Sequence, residues 1–236
     1  MDQSTIALVA TGAVSAALAV AFMAIRVTQK PIYGLLSKTL ASMAFVAMGA
    51  VGVLLGGNIY AALILLGLSF GMVGDIVLDL KRAHSEFENQ YLMSGMLAFM
   101  SGHGAYLSAF ILTALKIGVH DLIFAGIVSG AIGLVAGPAI VIVAIKMMKA
   151  NFGKFLGISV FYSVLLTFMS AFSIWLAILN PKFLLVAIAM AAFLLSDMVL
   201  STMYFVAGKK EDKLLVVVNH TLYYAAQILL AAWLFV

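Results

Sequence analysis

Three aspartates stand inside otherwise apolar stretches: Asp75 and Asp79 in "VGDIVLDL" and Asp197 in "FLLSDMVL". The other acids, Asp2, Glu86, Glu88, Asp121, Glu211 and Asp212, fall in expected loops or at the N-terminal end. A carboxylate at the centre of a bilayer costs about 3 kcal/mol on insertion scales, so such groups usually face a bundle interior or a wet cavity. The bland alternative is a buried hydrogen bond between helices. Imidazole, phenol and amide groups lie nearby in the pattern. "NHTLYYAAQ" spaces His220, Tyr224 and Gln227 at i, i+4 and i+7, one helical stripe, and the fourth apolar run carries His103. Two carboxyl groups in apolar surroundings can divide into a protonated acid and an ionised base, the arrangement that acid-base hydrolysis uses.

These groups need elements to hold them, and composition says which. The chain has 236 residues, 65% hydrophobic and only 9% charged, with mean hydropathy +1.20. Average soluble domains carry about 25% charged residues, so this is a multispanning membrane protein. Apolar runs cover Thr5 to Ile25, Thr39 to Leu55, Ile59 to Leu80, Tyr91 to Leu115, Leu122 to Ile145, Phe155 to Leu179, Phe183 to Val206 and Leu214 to Val236. Each is near the roughly 20 residues a helix needs to cross the hydrocarbon. The expected fold is all-α, a single bundle of eight transmembrane helices over residues 1–236 with no soluble domain. The first run lacks a basic start and a small-residue cleavage site, so it reads as a retained helix. Without cysteine there is no disulfide, thiolate metal site or cysteine nucleophile.

Lys and Arg set the expected orientation. Eleven of the 13 fall after runs one, three, five and seven: Arg26, Lys30, Lys38; Lys81, Arg82; Lys146, Lys149, Lys154; Lys209, Lys210, Lys213. That side is expected to be cytoplasmic, with both termini on the other side and the protein in the cell membrane. The asymmetry accounts for the net charge of +4, and nucleic acid is not an expected partner. At about 1.5 Å per residue, Asp197 lies roughly 14 Å and His103 roughly 18 Å from the cytoplasmic face, and Asp75 lies about 6 Å beyond Asp79. The polar groups thus converge in the cytoplasmic half, as expected of a site opening there. Asp79 is expected at the interface, in a salt bridge with Lys81 or Arg82.

An internal repeat is a further expectation. "DIVL" at Asp75 pairs with "DMVL" at Asp197, and "GHGAYLSAFIL" from Gly102 matches "NHTLYYAAQIL" from Asn219 at five of eleven positions. A four-plus-four repeat would be parallel, setting Asp75 and His103 opposite Asp197 and His220. Gly67, Gly71, Gly74, Gly95 and Gly102 suit close helix contact, and Pro138 suits a kink. His84 and His120 read as loop residues, and the Met and Phe residues as core or lipid-facing filling.

Taken together, "GD" at Gly74-Asp75, "YLMSGMLAFMSGHGAYLSAF" with His103 and Tyr106, "FYSVLLTFMSAF" with Tyr162, "FLLSD" ending at Asp197 and "YYAAQILLA" from Tyr223 resemble the YhhN-like lysoplasmalogenase family of eight-helix membrane proteins. The resemblance runs from about Lys38 to the C-terminal end. It implies hydrolysis of the vinyl ether bond of lysoplasmalogens to a fatty aldehyde and a glycerophospho-alcohol. It also carries Asp75, His103, Asp197, Tyr224 and Gln227 over as site residues; the reaction's need for an acid and a charge stabiliser then assigns catalysis to Asp75 and Asp197, with substrate contacts expected from Lys38, His103, Tyr106, Tyr162, Tyr223, Tyr224 and Gln227. Lys38 falls where the family has a lysine entering helix two, with "KTL" in place of the proline; Lys30-Pro31 is the competing alignment. Asp79 and His220 are not carried over. The implied partners are a lysophospholipid substrate and the lipid bilayer, with no cofactor or metal, and a homodimer is left open. Two rival readings remain: a proton-coupled transporter, and a lipid hydrolase with zinc on His103, His220 and the aspartates.

Overall fold

The computed structural model describes residues 2–56, 59–83, 85–210 and 212–236. His84 and Glu211, expected in loops, lie outside the described residues. Among them are eight helices long and apolar enough to span a membrane. They are α1 (Gln3–Thr28), α2 (Pro31–Gly56), α3 (Ile59–Ala83), α4 (Glu88–Lys116), α5 (Leu122–Met148), α6 (Leu156–Leu179), α7 (Leu184–Phe205) and α8 (Lys213–Ala232). The protein is all-α, as the apolar runs predict, because an isolated span in lipid must bond its own backbone.

Helices α1 to α5 overrun those runs, and one overrun matters. Asp2 caps α1 by accepting from the Thr5 N–H at 2.9 Å. This bond, with the helix start it joins, holds the Asp2 carboxyl below its usual range. Pro31 begins α2 eight residues before the expected Thr39, since its fixed φ suits the first helical position and its missing N–H removes nothing there. Lys38, expected in the connection after the first helix, therefore lies a full two turns inside α2. Arg26 and Lys81, also assigned to loops, lie inside α1 and α3.

The chain divides into two compact units. Unit 1 comprises residues 1–113 and 227–236, which is α1 to α3, most of α4 and the C-terminal end of α8. Its core includes Phe22, Phe45, Met48, Ile64, Leu68 and Phe110. The end of α8 is pinned by Trp233 edge-on to Phe110 (5.8 Å) and by Leu234 against Gly52, where a Cβ would sit 2.7 Å from Leu234 Cβ. Helices α3 and α4 meet through glycine. A Cβ on Gly102 would stand 3.0 Å from the Gly67 carbonyl oxygen, and one on Gly67 would strike the Tyr106 ring. The expected role of these residues in close helix contact is what the packing shows.

Unit 2 is residues 114–226, with α5 to α7 and most of α8. Small polar side chains join its helices in the manner of membrane bundles. Ser163 of α6 donates to the Gly137 carbonyl of α5 (2.9 Å), and Ser170 to the Met190 carbonyl of α7 (3.0 Å). Ser196 of α7 and Asn219 of α8 form a reciprocal lock: Asn219 Nδ2 donates to the Ser196 carbonyl and hydroxyl oxygens, each at 2.9 Å, and Ser196 Oγ to the Asn219 carbonyl at 3.2 Å. A Cβ on Gly137 would be 2.7 Å from the backbone of Val164, which explains a glycine just before Pro138.

Candidate functional site

In unit 1, α2 and α3 bring charge together out of solvent. Asp75 is 2% exposed; its Oδ2 accepts from Ser42 Oγ at 2.6 Å, and its Oδ1 lies 3.2 Å from Lys38 Nζ. Lys38 and Ser42 are four residues apart and so share one face of α2, as Asp75 and Asp79 share one face of α3. The second pair also converges on the lysine, with Asp79 Oδ1 3.8 Å from Lys38 Nζ and 3.8 Å from Arg26 Nη1. All five residues are buried.

Asp79 has partners beyond its sequence neighbours: it is 4% exposed, and its carboxylate reaches Arg26 and Lys38 from two other helices. The side chain of Arg82, one of its expected partners, lies outside the described residues. The physical reason is helix geometry: four residues separate Asp79 from Asp75, so the lysine that meets one meets the other. Ser42 and Arg26 were not singled out by the sequence. Ser42 has a signal, its spacing of four from Lys38; Arg26 has none, because one arginine at a helix end looks like any orientation-setting charge.

Other expected site residues in this unit are also buried. His103 is 1% exposed with its ring centroid 6.2 Å from that of Tyr106. Tyr106 Oη donates to Gln227 Oε1 at 2.7 Å, tying α4 to the end of α8, and both residues are essentially inaccessible.

In unit 2, Tyr162 of α6 donates its hydroxyl to Asp197 Oδ2 of α7 at 2.6 Å, and both side chains are half-buried. The Ser196–Asn219 lock sits one residue from Asp197 and fixes α7 against α8 at that level. Tyr223 packs edge-on to Phe193 (5.5 Å) and Tyr224 (5.2 Å), and both tyrosines are buried. His220 places Nδ1 2.7 Å from the Val216 carbonyl. A carbonyl only accepts, so Nδ1 is the donor in this contact. Motif residues that match in sequence are thus held differently: Asp75 by lysine and serine, Asp197 by a tyrosine. Among the described residues, no three His, Asp or Glu side chains gather as a metal ion would require.

Eight apolar helices with arginine, lysine and aspartate side chains enclosed among three of them define a polytopic helical membrane protein that keeps polar groups where lipid would reject them. The chain belongs to the YhhN family, whose model matches residues 33–234. The match takes in every expected site residue and omits α1 with its Arg26. No match was found among curated proteins or among solved structures.

Proposed function

We propose that the protein is an intramembrane hydrolase that cleaves the vinyl ether bond of lysoplasmalogens, releasing a fatty aldehyde and a glycerophospho-alcohol. The observation that carries this reading is the contrast between two carboxyl groups. Asp75 faces a lysine ammonium at 3.2 Å, whereas Asp197 faces a neutral phenol at 2.6 Å.

The reaction needs that asymmetry. Protonation of the β-carbon gives an oxocarbenium ion; water then attacks the cationic carbon, and the resulting hemiacetal collapses to aldehyde and alcohol. One group must deliver a proton, and another must orient water and offset the positive charge. Glycosidases meet a similar cation with one protonated and one ionised carboxyl group. Asp197, oriented by Tyr162, is the proton donor in this reading. Asp75, kept as a counter-charge to Lys38 and aimed by Ser42, handles the water and the cation. His103, Tyr106, Tyr223, Tyr224 and Gln227 shape the surrounding contacts with the lipid. The site opens to the cytoplasmic half of the cell membrane, and both termini lie on the opposite side.

The test is substitution. Asp75→Asn and Asp197→Asn each abolish aldehyde release while the protein still inserts and folds. A wild-type rate from either variant sinks the assignment.

A further inference from the structure

At one end of unit 2, two lysine-bearing connections meet. The end of α5 and its connection to α6 hold Lys146, Lys149 and Lys154, with no acid among them. The connection from α7 to α8 holds Lys209 and Lys210, with Lys213 opening α8, against Glu211 and Asp212. All six lysines are exposed. Orientation in a membrane needs only that such charges lie on one side. The fold does more, because it ties the two connections together.

Asn151 donates its backbone N–H to the carbonyl of Phe205, the last residue of α7, at 2.7 Å. Phe152 packs on Phe205 with ring centroids 4.4 Å apart, and Phe155 stands 6.2 Å from the same ring. Val141, Ala150 and Phe152 close a small core against Val206. Lys154 sets its ammonium 5.4 Å from the Phe155 centroid, within cation–π range, which fixes one charge to this base. Lys149 is held where lysine is disfavoured. It caps α5 at φ 56°, a left-handed position that usually falls to glycine, and strain of this kind points to a use for the side chain. Beside the lysines the surface is apolar: Ile145, Met147, Leu156 and Leu214 are exposed within two residues of Lys146, Lys154 or Lys213.

We propose that this end of unit 2 binds an acidic phospholipid, with the phosphodiester of a headgroup of net negative charge against the lysines and the acyl chains against the apolar flank. A soluble phosphate would use the lysines alone, whereas a lipid matches both surfaces. Each lysine close to anionic lipid strengthens the attraction about fivefold. Lys209 is paired with Asp212 at 3.4 Å, so Lys146, Lys149 and Lys154 supply most of that attraction. The surface is separate from Asp75 and Asp197, and its ligand is not the lipid to be cleaved.

Delipidated full-length protein in a nonionic detergent is titrated at low salt with phosphatidylglycerol and with phosphatidylcholine of the same acyl chains, one chain being fluorescent. Wild type prefers the anionic lipid by about tenfold or more, and the preference collapses at about 1 M salt, where the screening length is about 3 Å. Lys146→Gln, Lys149→Gln and Lys154→Gln combined bring the preference to about twofold or less. Lys182→Gln, at the opposite end of unit 2, leaves it intact. If the triple variant does not fold, Lys149→Gly decides, because glycine takes the left-handed backbone readily; it weakens anionic binding about fivefold. Equal affinity of wild type for the two lipids overturns the proposal. So does an unchanged preference in the triple variant or, where that does not fold, in Lys149→Gly. Glycerol phosphate competing as well as intact phosphatidylglycerol keeps the anion site and overturns its assignment to a lipid. None of these readouts needs turnover, so failure of the proposed reaction leaves the lipid site standing.

Discussion

Replacing Lys38 with methionine removes the cation that Asp75 and Asp79 share while keeping most of the side-chain volume. The nitrogen stands 3.2 Å from Asp75 and 3.8 Å from Asp79. At an effective dielectric constant of about 20, unit charges at these separations attract by about 5 and about 4 kcal/mol. Desolvation offsets much of that attraction, and deleting one partner of a buried pair usually costs about 3–5 kcal/mol because the other charge is stranded. Lys38→Met should therefore lower unfolding stability in detergent by about 3–5 kcal/mol. Adding Asp75→Asn removes the carboxylate that stood nearest the lost ammonium, so the double variant should recover about 1–3 kcal/mol, the usual range of coupling between contacting residues. Denaturant titration of wild type, both single variants and the double variant measures the cycle. A loss below about 1 kcal/mol for Lys38→Met would refute the reasoning, as would a double variant no more stable than Lys38→Met alone.

Three further outcomes follow from particular contacts. Gly137→Ala puts a methyl 2.7 Å from the backbone of Val164, which cannot rotate away, whereas Gly104 has nothing within 4 Å of its added Cβ. The first substitution should lower thermal stability by about 1–3 kcal/mol and Gly104→Ala should leave it unchanged, and equal effects would contradict the packing. Tyr162→Phe deletes the bond to Asp197, which becomes a bond to a carboxylate as the proton leaves, and at about 1.5–3 kcal/mol for a hydrogen bond to a charged group should lower turnover about tenfold to a hundredfold in vinyl ether hydrolysis. Asp212 accepts from the Leu215 and Leu214 N–H groups at the start of α8, and the Leu215 bond is the main cause of its lowered carboxyl pKa. A depressed carboxyl adds stability above its unfolded pKa, and this is lost as pH falls through the folded value. Hydrogen exchange at Leu214 and Leu215 should accelerate in acid below the ordinary carboxylate range, and Asp212→Asn should remove that pH dependence.

The spans were legible because lipid leaves one solution for an isolated segment, and a run of apolar residues near 20 long announces it. Their ends were not, because a proline before polar residues reads equally as a loop or as a helix start; Pro31 is a start, and it carries Lys38 into the bundle. Asp75 and Asp197 stand out against their apolar neighbours, so the sequence singles them out with no knowledge of partners. Partners are another matter. Apart from its spacing of four from Lys38, Ser42 looks like any helix-packing serine, and Arg26 like any positive charge at a helix end; only tertiary contact shows one bonded to Asp75 and the other beside Asp79. Asp79 shows the same limit: its sequence neighbours suggest a local pair, and the lysine of α2 that stands 3.8 Å away is visible only in the fold.

The central claim is tested most directly by chemistry on three matched lysolipids. Purified protein is incubated with the vinyl ether, the ester and the saturated alkyl ether of one chain length and headgroup, and free aldehyde is measured. The account predicts aldehyde from the vinyl ether alone, with none from the other two. No aldehyde from the vinyl ether, or loss of the ester at a comparable rate, would contradict it.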